Sequence, residues 1–261
     1  MPPAIPVRVE NVHVRRTIAV ALAASALLAG SAGAKTLVDL SGTATPAISA
    51  FTLKPQTLSL TIDARFASDV ADELPGTVSK AVIYFPHGPR VNGRLFPSCD
   101  PARLRRLRGA PRACPQGSRL GGGSALGASP QFGIGVRERL TVDLYNGKGG
   151  RSIIFFLRGL NPVLVSGMIV APFAALRGGR WGYRLTMNVP QNLQEIAPDI
   201  FASLLDFKVT TGGSVRVHGQ RYGFIESLAC PPGALVPVRG VFSFRGGDST
   251  TTDSYIACGH G

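Results

Sequence analysis

Extended segments with a side-chain period of two recur along this chain at short intervals, and that recurrence leaves few folds open. Residues 57–63 read Thr-Leu-Ser-Leu-Thr-Ile-Asp, with Leu58, Leu60 and Ile62 on one side and polar residues on the other. Strands send alternate side chains to opposite faces, so this is a half-buried strand. Residues 79–85 form a denser apolar strand, halted by the turn chemistry of Pro86, His87, Gly88 and Pro89. Residues 140–145 and 152–157 flank a loop that begins Asn146-Gly147, and two apolar runs around Asn-Gly predict a β-hairpin. Further strands are expected at 163–170, 183–189, 204–210, 215–218, 224–229, 236–244 and 254–258. That makes about a dozen strands, with turn signals every ~8–12 residues. A short helix is expected at 190–197, ended by Pro198. No long amphipathic helix alternates with the strands, which argues against a parallel α/β sheet. The expectation is an all-β fold, an antiparallel β-sandwich of jelly-roll-like or two-subregion form. Any seam between subregions would fall near residues 121–135, where a glycine run precedes a weakly patterned piece.

One segment stands apart from the strands. Cys99 and Cys114 bracket Asp100-Pro101-Ala102-Arg103-Leu104-Arg105-Arg106-Leu107-Arg108. Asp100 is a good helix cap and Pro101 a good first helical residue, so the segment reads as a short basic helix pinned at both ends. Leu104 and Leu107, spaced i and i+3, give it an inward face. Residues 90–119 hold eight arginines and one acid, Asp100. Such a patch attracts polyanions: nucleic acid, anionic lipid or an acidic cell-envelope polymer. No aromatic residue interleaves with the arginines to stack bases, so no nucleic acid is expected. The competing reading is a solvated helix face with no ligand.

The N-terminus has the form of a targeting segment. Arg15-Arg16 precede an apolar run over 17–28, followed by small residues ending Ala32-Gly33-Ala34. This is the pattern of a secretory signal peptide with an N-terminal extension, cleaved after Ala34, and the run is short for a membrane span. An uncleaved anchor is the other reading. On cleavage the chain loses Arg8, Arg15, Arg16 and Glu10, and its formal charge goes from +13 to about +11. Residues 35–261 are then a secreted β-sandwich domain long enough to bury a substantial core.

All four cysteines follow the signal segment, which suits an oxidising compartment. Three pairings are open, and the favoured one is local: Cys99–Cys114 and Cys230–Cys258. No Cys-x-x-Cys pair occurs, so no metal site and no cofactor is indicated.

Catalytic residues are harder to find. His87 sits in a turn, His218 at a strand end, His260 in the tail, and His13 in the signal segment. A Ser/His/Asp site needs its members close only in space, but the Gly-x-Ser-x-Gly elbow is missing around Ser124. Asp69, Asp72 and Glu73 read as a solvated loop, and residues 248–253 as a polar turn rather than a calcium loop. No catalytic residue is assigned.

The strings Leu95-Phe96-Pro97-Ser98-Cys99 and Ala113-Cys114-Pro115-Gln116-Gly117-Ser118 resemble a group of secreted actinobacterial β-rich proteins of unknown function. The resemblance extends through Val189-Pro190-Gln191-Asn192-Leu193, Ala229-Cys230-Pro231 and the terminal Cys258. It implies a secreted β-rich domain with paired cysteines and carries no catalytic residue. The functional expectation is a non-enzymatic envelope or extracellular protein that binds anionic polymer through Arg103, Arg105, Arg106 and Arg108. The alternative is an extracellular hydrolase whose Ser/His/Asp site assembles in space.

Overall fold

A computed structural model describes residues 34–46, 55–130, 136–160, 164–227 and 234–257. The chain divides into Met1–Gly33, outside the described residues, and Ala34–Gly261. The expected signal segment, the Cys230–Cys258 pairing and His260 therefore lie outside the described residues.

In chain order the strands begin with β1 (Thr36–Thr45), β2 (Gln56–Ser68), β3 (Val78–Pro86), β4 (Arg90–Val91), β5 (Arg119–Ser129) and β6 (Val136–Asn146). They continue with β7 (Ser152–Gly159), β8 (Val165–Ala175), β9 (Trp181–Asn188), β10 (Glu195–Ala197), β11 (Ile200–Phe201) and β12 (Ser203–Thr211). The last are β13 (Ser214–Val217), β14 (Gln220–Gly223), β15 (Ile225–Ser227), β16 (Leu235–Phe244) and β17 (Ser249–Ala257). Two short helices, α1 (Pro101–Arg106) and α2 (Gln191–Gln194), interrupt them.

The long strands form one ladder, β17-β16-β3-β9-β8-β7-β6-β5-β12-β2, with β1 on the outer side of β2 and β15-β4 extending the start of β2. Every pairing along it is antiparallel. The fold is an antiparallel β-sandwich, and β8 is its corner. Residues 165–172 of β8 pair with β7, and Phe173, Ala174 and Ala175 pair with β9, so one strand belongs to both layers. At the far edge β1 meets β17 through side chains: Thr250 Oγ1 donates to the Thr36 carbonyl at 2.7 Å. A Cβ on Gly42 would come within 2.9 Å of Ile256 Cγ1.

The core between the layers follows from the alternation in each strand. Ile153, Phe155 and Leu157 point inward from β7, as do Val142 and Leu144 from β6 and Val238 and Phe242 from β16. Phe66 and Phe242 meet edge to face at 5.2 Å, a geometry that suits the ring quadrupoles. The other face of β7 is buried too, because Ile154 and Phe156 belong to a second apolar cluster under α1. This explains why residues 153–157 are apolar without alternation: a strand covered on both sides has no polar face to show.

Three local expectations are corrected. The glycine-rich stretch after Gly121 is neither weak nor a seam: β5 runs through it in the middle of the ladder, paired with β6 and β12. A Cβ on Gly121 or Gly123 would collide with the main-chain oxygen of Thr210 or Lys208, so glycine lets β12 approach. The helix expected at 190–197 lasts only as α2, and Glu195–Ala197 is extended and paired with β11. Pro198 drives the preceding residue out of the helical region, and the Gln194 side chain is drawn back to the Val189 carbonyl at 2.6 Å. Residues 249–253, read as a polar turn, belong to β17, where a threonine run suits an extended chain.

Candidate functional site

The basic segment is built from the sheet outward. Asn146, the last residue of β6, is fully buried. Its Nδ2 faces the carbonyls of Gly93, Phe96 and Pro97 at 3.0, 3.1 and 3.1 Å. Its main chain donates to the Ser118 carbonyl at 2.7 Å and accepts from the Cys99 amide at 2.8 Å. One residue thus ties both ends of the cysteine loop to the hairpin, its side chain holding the approach to Cys99 and its main-chain amide the segment after Cys114. The sequence shows Asn146 only as a turn residue; its second role depends on contacts some 50 residues away and leaves no local signal.

Cys99 and Cys114 are joined in a disulfide, with Cα atoms 4.9 Å apart. Asp100 caps α1 by accepting from the Ala102 amide at 3.0 Å, and Pro101 takes the first helical position. At the other end Arg108 and Gly109 both adopt positive φ, +48° and +73°. The Gly109 amide then donates to the Leu104 carbonyl at 3.0 Å, closing the helix. A Cβ on Gly109 would overlap the Phe156 ring, so the chain passes flat over the sheet only because this residue is glycine.

Leu104 is completely buried against Tyr145, Ile154 and Phe156, with Leu107 and Met168 beside it. That contact faces the other side of the helix outward. Arg103, Arg105, Arg106 and Arg108 are all exposed, and none has a carboxylate partner among the described residues. Arg103 alone is tethered, its Nη2 donating to the Arg112 carbonyl at 3.2 Å. Asp100, the one acid of the segment, is turned to the helix amides. The positive charges gather at the C-terminal turn of α1, where the helix carbonyls favour cations.

A cleft of about 640 Å³ opens beside the disulfide, lined by Arg112, Gln116, Arg119, Asp143, Tyr145 and Arg158 among others. Asp143 accepts from Arg119 Nη2 at 2.7 Å and from Arg158 Nη2 at 2.9 Å, so two guanidinium groups share one carboxylate. The cleft therefore carries surplus positive charge, with three arginines to one aspartate in its lining. Burial pushes the Tyr145 hydroxyl above its ordinary pKa, and the Asp143 charge adds to the effect. Arg158 and Asp143 were missed from the sequence because they lie in strands where they read as ordinary outward positions.

The histidines sit elsewhere. His87 Nε2 is 3.1 Å from the Gly179 carbonyl, and His218 lies exposed in the β13–β14 turn with φ of +49°. Neither is hydrogen-bonded to a serine or a carboxylate among the described residues. Asp69 accepts from the Lys35 amide at 2.7 Å, as a loop carboxylate does. Among the described residues no three His, Cys, Asp or Glu side chains converge as metal ligands, and no helix is long and apolar enough to cross a membrane. Comparison with protein-family models, with curated proteins and with solved structures finds no match for the chain.

Proposed function

We propose that this is an extracytoplasmic, non-enzymatic β-sandwich protein that holds anionic cell-envelope polymer on the arginine face of α1. The observation that carries the reading is the gathering of four exposed arginines without carboxylate partners within six residues of one disulfide-clipped segment. Arg65, Arg119, Arg158 and Arg239 each have an aspartate partner, whereas Arg103, Arg105, Arg106 and Arg108 have none. Arg103, Arg105 and Arg106 stand on a helix, and Arg108 on its closing turn, fixed by a disulfide, by Asn146 and by Leu104, so little backbone ordering entropy is lost when they engage a ligand. Guanidinium groups match phosphate and carboxylate through paired hydrogen bonds. The signal-peptide pattern and the disulfide support a setting outside the cytoplasm, and a chain released by cleavage after Ala34 would need a surface to stay near the cell.

Each exposed contact is weak, so retention is cooperative and falls with salt, as the Debye length shrinks from about 10 Å at 0.1 M to about 3 Å at 1 M. The test is co-sedimentation with purified bacterial cell wall across that range, for wild type and for a variant with all four arginines replaced by alanine. Wild type is retained at low salt and released at high salt, and the variant stays in solution throughout. Equal retention of both, or retention that ignores salt, overturns the reading. The compartment is checked separately by N-terminal sequencing of the exported chain, which should begin at Lys35.

A further inference from the structure

The interior of the sandwich is not filled evenly. Toward one end Phe66, Phe242, Phe244 and Val78 close the space between the layers. Toward the other end the layers leave a cavity of about 110 Å³. Its described lining is apolar apart from Thr211 and Tyr183 and includes Leu58, Leu60, Phe85, Leu185, Val209 and Val236. The lining follows the strand halves closely: Val236 and Val238 of β16 border the cavity whereas Phe242 and Phe244 do not, and Leu58, Leu60 and Ile62 of β2 border it whereas Phe66 does not. An apolar cavity of roughly 150 Å³ stays dry and takes up benzene, so this one has room for the terminal carbons of an aliphatic chain and no use for water.

The cavity reaches the surface region through a thin wall. Val91, Phe173 and Tyr183 border it on one side and border an outer cleft of about 590 Å³ on the other. Phe173 and Tyr183 are stacked at 5.1 Å, and the Tyr183 hydroxyl donates to the Pro89 carbonyl at 2.9 Å. Swinging these two rings aside would give up that hydrogen bond and the Phe173 ring contact with Phe85 at 6.5 Å, and would join the cleft to the cavity. The cleft is basic: Arg94 and Arg151 line it, both exposed and neither paired with a carboxylate among the described residues. A dry apolar interior joined to a cationic rim matches one ligand chemistry, a single aliphatic chain with an anionic head.

We infer that the protein binds a single-chain anionic amphiphile, its tail between the layers and its carboxylate or phosphate head on Arg94 and Arg151, with Phe173 and Tyr183 as the gate. This site shares no residue with the arginine face of α1 and stands or falls apart from it.

The test is calorimetric titration of the full chain with decanoate, with decyl phosphate and with decanol as the uncharged control, supported by native mass spectrometry for stoichiometry. Decanoate and decyl phosphate should bind one to one. Decanol, and the Arg94→Glu/Arg151→Glu variant with decanoate, should bind roughly ten- to a hundred-fold more weakly, the loss expected of one or two charge-assisted hydrogen bonds. Leu185→Phe, which fills the cavity from its middle, should remove binding by both head groups while the charge-reversed variant keeps residual binding of decanol. Replacing the four arginines of α1 by alanine should leave decanoate affinity unchanged. No binding to wild type overturns the inference, as does equal affinity for decanol and decanoate or full affinity in the charge-reversed variant. Both arginines are exposed, so that variant folds and decides the matter even where Leu185→Phe does not.

Discussion

The Cys99 amide donates to the Asn146 carbonyl at 2.8 Å, so the first cysteine of the basic segment is registered on the end of β6 independently of its disulfide. Two separate devices, one covalent and one hydrogen-bonded, therefore hold the same short helix. Removing either should be felt, and the two should be distinguishable. Asn146→Ala removes the amide whose two protons serve the Gly93, Phe96 and Pro97 carbonyls; Gly93 keeps the Phe96 amide at 3.2 Å, while Phe96 and Pro97 lose this donor. Stranded buried polar groups cost about 1–3 kcal/mol each, so a loss of about 2–4 kcal/mol is expected after local relaxation. Denaturant unfolding of the oxidised variant measures it, and a loss under about 0.5 kcal/mol would contradict the role given to Asn146.

Leu104 is the apolar anchor of α1, and the four arginines around it are not anchors at all. Leu104→Ala should cost about 2–5 kcal/mol, the range for a large-to-small change at a fully buried site. The variant lacking all four arginines should change stability little, since all four are exposed, none has a carboxylate partner among the described residues, and the single Arg103 bond to the Arg112 carbonyl is at the surface. Thermal unfolding of both variants side by side separates packing from charge. If the arginine variant proves the less stable, the helix is held by its charges and the outward face has been misassigned.

Gly109 makes a sharper demand. Its φ is +73° and a Cβ there would run into the Phe156 ring, so any side chain is both strained and obstructed. Gly109→Ala should destabilise by more than about 1 kcal/mol, and Gly109→Ala with Phe156→Leu should recover part of that loss by relieving the collision alone. A double-mutant cycle reports the coupling; strict additivity would show that the ring is not the obstacle.

Much of this was legible in the sequence because it is local. The cap at Asp100, the proline at Pro101, the inward pair Leu104 and Leu107, and the alternation in β2 each depend on residues a few positions apart. The hairpin of β6 and β7 announces itself through Asn146-Gly147 for the same reason. What could not be read depends on partners far along the chain. The glycines of β5 look like a linker until Lys208 and Thr210 are seen pressed against them. The threonines of β17 look like a turn until β16 is placed alongside. The cleft at Asp143 needs Arg119 and Arg158 brought together by three strands, and the hollow end of the sandwich exists only once both layers are stacked.

The pair Arg239–Asp253 gives a pH prediction. Both guanidinium donors reach the carboxylate at 2.7 Å, and this hydrogen bonding holds Asp253 below the ordinary carboxylate range. The folded value is thus depressed relative to the unfolded one. The contribution to stability is fully present above the unfolded aspartate pKa, near 4, and is lost as pH falls through the folded value. The pair is exposed, so the effect on stability is small and the titration itself is the better readout. NMR titration of the Asp253 carboxyl should show a depressed midpoint that returns to the ordinary range in Arg239→Gln. A midpoint unmoved by that substitution would assign the depression to another cause.

The seam between β1 and β17 has a reason that lies in arithmetic rather than in packing. From β1 through β2, β12, β5, β6, β7, β8, β9, β3 and β16 to β17 the ladder contains eleven strands, each opposite in direction to the one before. An odd number of alternating strands ends as it began, and the side-chain contacts agree: Thr36 lies beside Thr250 and Gly42 beside Ile256, six residues further along both strands. The two edges run the same way. A ladder between them would have to be parallel, unlike every other pairing along the sheet, and none forms among the described residues: the two edges meet through side chains and the sheet lies folded over on itself as two layers. Main-chain amides along that seam have no ladder partner across it, so β1 and β17 should lose their amide protons to solvent at every second residue while the interior strands keep theirs.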